Sequence, residues 1–172
     1  MADLYEQVTS DQDPFRKLAS KIPGFAGYIE RENRRAADKL VRETIVNHFE
    51  AIWKRIGNLQ KDLAASQELE YVDDLEGAAT KLRTFIDKVT TAAYGYSGFF
   101  DAVKINQDEI FKLYNYDLVL LEKADETSRA VDNAEKSVGT DGMPAAVRNM
   151  VALSRELVTA FDEREVVITA TQ

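Results

Sequence analysis

The chain has 172 residues and a mass of 19.4 kDa, one domain's worth of material, with 45% apolar and 30% charged residues. That mixture excludes a disordered chain, and the absence of cysteine excludes disulfide scaffolds, thiol nucleophiles and thiolate-bound metals. Net charge is −8 but unevenly placed: residues 21–61 hold nine Lys/Arg against five Asp/Glu, and residues 62–172 hold eleven against twenty-one.

Overall acidity argues against nucleic acid, because binding it is mostly phosphate neutralisation. The basic segment is either the solvated face of a helix or a contact for an anionic partner or the acidic surface of a second copy. Neither a secretory start nor a run of about 18 apolar residues is present, so a cytoplasmic location is expected.

In chain order, residues 1–27 read as an N-terminal arm of short helical turns, with Leu4, Tyr5, Val8, Phe15 and Leu18 as its apolar positions. The string Ile22-Pro23-Gly24-Phe25 breaks it, since proline fixes φ and restricts the residue before it. Ile22 and Phe25 then either plug one end of a helical core or anchor a partner.

Nothing stops a helix from Tyr28 to Ser66, with a stripe of Val41, Ile45, Phe49, Ile52, Ile56, Leu59 and Leu63 stepping by three and four. Opposite charges at Glu30–Arg34, Asp38–Arg42 and Glu50–Lys54 mark expected exposed flanks. Gly57 is either a weak point or a place of close helix approach.

A second helix is expected over 71–93, striped by Leu75, Ala79, Leu82, Ile86 and Val89. Its early Asp73, Asp74 and Glu76 fit the positive end of a helix and need no metal. Tyr94-Gly95-Tyr96-Ser97-Gly98-Phe99-Phe100 follows, and caps the core or offers Tyr94, Tyr96 and Phe99 to a partner. It lacks the GxGxxG spacing of a dinucleotide loop.

A third helix over 102–138 carries Ile110, Leu113, Asp117, Leu120, Ala124 and Val131, flanked by Tyr114 and Tyr116. Gly139 and Gly142 end it. A last helix over 144–165 carries Val147, Met150, Ser154, Leu157 and Phe161, and Val166–Thr169 reads as a frayed or packed tail.

Catalytic equipment is sparse. A di-iron carboxylate bundle needs Glu-x-x-His twice, and the single histidine, His48, has Ile45 three positions before it. Beside Phe49, His48 is expected as a buried polar residue at the core edge. Asp117 interrupts an apolar stripe, so it either sits at the edge or makes a buried polar contact that fixes register or binds a ligand. Arg31, Arg34, Arg35 and Lys39 form a basic run suited to a protein partner. Interspersed acids and the lack of an opposing apolar face make it a poor grip on polyanions or membranes.

The expected fold is all-α: an antiparallel bundle of about four helices, two of them long, over 28–168. The expected function is a non-catalytic interaction or scaffolding module that self-associates or binds a charged protein, with no cofactor and no metal. The alternative is a ligand-binding or enzymatic helical protein with a pocket of His48, Asp117 and tyrosines.

Overall fold

The computed structural model describes residues 14–31, 33–92 and 107–169. Within them lie six helices packed against one another and no strand: α1 Pro14–Lys21, α2 Phe25–Glu30, α3 Arg34–Ala65, α4 Val72–Thr91, α5 Gln107–Ser137 and α6 Met143–Thr169. A single 3-10 turn, Leu69–Tyr71, leads into α4. The fold is therefore all-α, as the periodicity predicts.

The expected unbroken helix from Tyr28 is instead two. Asn33 turns its side-chain oxygen onto the amide of Ala36 at 3.1 Å and starts α3 afresh, while its own N–H returns to the carbonyl of Tyr28 at 2.9 Å. A good N-cap outcompetes a polar stretch that has no buried anchor to carry the helix through. At the other end of α3, the N–H of Glu68 bonds the carbonyl of Leu63 and that of Gln67 bonds Ala64. This six-to-one and five-to-two pairing stops the helix with Gln67 at φ 62, a place where glycine is usual. Gly139 plays that part after α5, at φ 75.

Gly57 neither breaks α3 nor admits a neighbour, because a Cβ built there meets nothing within 4 Å. Gly57→Ala is accordingly expected to raise stability by about 0.5–1 kcal/mol, by reducing the freedom lost on folding. A shift of the urea midpoint at unchanged slope would register it.

The four long helices touch in the order α3, α4, α6, α5 and back to α3. Their directions follow from side-chain pairs. Glu50 meets Arg83 and Gln60 meets Glu76, so α3 and α4 run oppositely. Lys123 meets Glu156 and Asp117 meets Arg164, so α5 and α6 do too. Phe85 meets Phe161 and Lys88 meets Asp162, so α4 and α6 run the same way. Arg55 meets Ser128 and Asp132, while Asp38 and Asp117 share Arg164, so α3 and α5 are likewise parallel. Two antiparallel hairpins thus lie side by side with their like helices parallel, rather than every neighbour being antiparallel.

Each apolar stripe is buried where its spacing puts it. Phe49, Phe85 and Phe161 stack edge to face across α3, α4 and α6, with centroids 4.8 and 5.9 Å apart. At the end where α3 and α5 begin, α1 packs on α5 and α2 on α3, and Leu18, Ile22 and Phe25 are fully buried. Phe15 and Phe25 both meet the ring of Tyr114 edge to face, at 4.9 and 5.5 Å. Tyr114 is thereby a core residue and not a flank. The tail reading of Val166–Thr169 also fails: α6 runs through it, leaving Val166 63% exposed. β-branched residues only weakly oppose a helix already nucleated by a long buried stripe.

Candidate functional site

Three of the four long helices carry a charged residue on their buried stripe, all near the end covered by α1 and α2. Asp38 lies on α3 seven positions before Ile45, Asp117 on α5 four after Leu113, and Arg164 on α6 three after Phe161. Helical spacing turns each inward, and all three are at most 1% exposed.

The Nε of Arg164 donates to Asp117 Oδ1 at 2.7 Å, and a terminal nitrogen donates to Asp38 Oδ1 at 2.7 Å. Arg42, 8% exposed, donates its Nε to Asp38 Oδ2 at 2.8 Å. Two carboxylates thus face two guanidiniums, and the cluster carries no net charge. The planar fork of Arg164 reaches two helices at once, which an ammonium would do poorly. The Asp38–Arg42 pair, expected on an exposed flank, is part of this core.

Satisfaction is incomplete. Asp117 Oδ2 and the Tyr114 hydroxyl, one helical turn apart, are both buried without a hydrogen-bond partner. Burial, helped by the Asp38 charge and only partly opposed by Arg164, lifts the Asp117 carboxyl to about 6. Burial, then the carboxylates of Asp117 and Asp38, raise the Tyr114 hydroxyl well above its ordinary value. With every member almost inaccessible, the cluster ties α3, α5 and α6 together. Asp117 is therefore not at the edge of its stripe: it is fully buried and paired with Arg164.

The other sequence candidates are scattered. His48 is exposed, contrary to expectation, because it precedes Phe49 by one residue, about 100° of helical turn, and so leaves the buried stripe. Asp117, by contrast, is fully buried, and neither residue lines the groove between α3 and α4. Arg31 is exposed with its guanidinium 5.8 Å from the Tyr28 ring centre, and Lys39 makes a loose pair with Glu43 at 3.8 Å. Arg34 is half-buried and Arg35 exposed. Tyr94, Tyr96 and Phe99 lie outside the described residues. Among those residues, no group of three His, Asp or Glu is placed to hold a metal ion, and no helix is long and apolar enough to cross a membrane.

Where a concave surface does occur, sequence reasoning missed it. A shallow groove of about 680 Å³ runs between α3 and α4. Trp53, Gly57 and Ala79 contribute its apolar part, and Lys54, Lys61 and Arg83 face a single carboxylate, Glu76. Arg83 stacks over Trp53 at 5.6 Å and also pairs with Asp87 at 2.9 Å. Lys54 and Lys61 make no ion pair among the described residues.

No protein-family profile matches this chain, and no curated protein or solved structure is detectably similar to it. Function must therefore be read from the surface itself.

The opposite face of the molecule, built by α5 and α6, is acidic. Residues 107–169 hold seven Lys/Arg to thirteen Asp/Glu, against eleven to six for residues 14–65. Lys123 of α5 is shared between Glu126 at 3.0 Å and Glu156 of α6. Glu122 and Asp125 beside it are exposed and unpaired among the described residues.

Proposed function

We propose that the chain is a non-catalytic interaction module that associates with a second copy of itself through oppositely charged surfaces. One observation carries this reading: charge is segregated by helix, positive along α1 to α3 and negative along α5 and α6. The four buried charges, two of each sign, pair among themselves in the Arg164 cluster and so leave the balance of surface charge unchanged. Complementary patches guide orientation and encounter more than they add raw affinity, which suits a reversible module. A charged protein partner of another kind uses the same surfaces; a polyanion would have to overcome the net charge of −8.

The test is mass in solution against ionic strength. At about 20 mM salt, where charges act over about 20 Å or more, the average mass should exceed 19.4 kDa at tens of micromolar protein. At about 0.5 M salt it should fall back towards that value. A mass of one chain at every salt and protein concentration removes the self-association reading.

A further inference from the structure

We infer that the groove between α3 and α4 is the receptor half of this contact, and that it takes the outward stripe of α5 from a second copy. The inference rests on the self-association reading and adds the two surfaces that meet.

Three features of the groove decide what fits. Its floor is apolar, with the Trp53 ring along one side and no side chain projecting from Gly57. Its rim carries Lys54 and Lys61, two turns apart on one edge of α3 and without an ion-pair partner among the described residues. Its trough runs between two helices, a shape that accepts the ridge of a third.

The chain's own surface supplies the complement. Val119 is one of three large apolar side chains that stand exposed among the described residues, at 39%. It lies on α5 three and seven positions before Glu122 and Glu126, so the three share one outward stripe. An apolar knob followed by two carboxylates thus faces solvent on one side of the molecule. An apolar trough flanked by two unpaired lysines lies on the other. Seating Val119 over Trp53 and Gly57 brings the α5 carboxylates within reach of Lys54 and Lys61.

Since the two surfaces differ and lie on opposite faces, the contact is head-to-tail. It builds open chains or closed rings, and not two-fold dimers.

Charge exchange tests this directly by sedimentation at low salt. Lys54→Glu with Lys61→Glu reverses the rim, and Glu122→Lys with Glu126→Lys reverses the stripe. Each double variant alone should bind itself at least tenfold more weakly than the wild type. An equimolar mixture should recover assembly, because the reversed rim of one variant meets the reversed stripe of the other. A control, Arg148→Glu with Arg155→Glu on α6, lies outside the groove lining and the α5 stripe, shifts net charge by the same amount as the rim variant, and should assemble as the wild type does.

If the wild type assembles and both double variants still assemble equally well, these surfaces are not the contact, while self-association stands. Loss in the variants without recovery on mixing, or equal loss in the control, also overturns the pairing. A wild type that stays a single chain throughout removes both readings together.

Discussion

Arg164→Leu should destabilise the protein by about 3–5 kcal/mol, because it leaves the Asp117 carboxylate unpaired in the core while barely changing the space filled. Asp38 would keep Arg42, but Asp117 would lose its sole hydrogen-bond donor with both oxygens buried. The loss comes from the unpaired charge and not from a missing contact, and a second variant separates the two. Arg164→Leu combined with Asp117→Leu removes one charge of each sign and should regain most of the deficit, since apolar replacement of a buried pair is often neutral. Urea unfolding of the two variants beside the wild type measures this. If the single variant loses under about 1 kcal/mol, Arg164 is not holding the helices as described.

The contribution of Asp117 to stability should grow on acidification, the reverse of the common behaviour of paired carboxylates. Burial lifts the folded Asp117 carboxyl to about 6, above its ordinary value of 3.8. Between those limits the folded chain binds a proton that the unfolded chain does not, so this residue's contribution to stability rises as pH falls. From pH 7.5 to 5 the gain is about 1 kcal/mol, approaching about 3 kcal/mol once pH drops below the unfolded value. Asp117→Asn keeps an oxygen for Arg164 and has nothing to titrate, so its stability should lack this component. The measurement is the difference between wild type and variant across pH, which cancels the other carboxylates. A difference that is flat, or that runs the other way, would show that Arg164 controls the group and burial does not.

Much of the architecture was legible in the chain. Stripes such as Leu75–Leu82–Ile86–Val89 and Val147–Met150–Leu157–Phe161 are buried where a period near 3.6 places them. Ends were less legible. The break at Asn33 depends on a single side-chain hydrogen bond, and the helix through Val166 depends on momentum from Phe161 and Arg164, and residue preferences capture neither.

The ion cluster was half visible. Asp117 stood out because it interrupts a stripe, yet Asp38 precedes Val41 by three and Arg164 follows Phe161 by three on stripes of their own. The sign match among three interrupted stripes was the missing signal: two acids and one base at one end of the molecule. Their convergence is a property of helix direction, which no single segment encodes. The groove left no mark at all, since Trp53 and Arg83 are 30 residues apart and meet only when α3 and α4 pair.

The side-by-side hairpins also bear on how quickly this chain finds its fold. Partners inside a hairpin, such as Gln60 with Glu76 or Lys123 with Glu156, are 16 and 33 positions apart. Partners across the two parallel seams, such as Arg55 with Ser128 or Lys88 with Asp162, are 73 and 74 apart. Closing the longer loops carries the larger entropic penalty, so each hairpin zips up early and their mutual docking becomes the slow event.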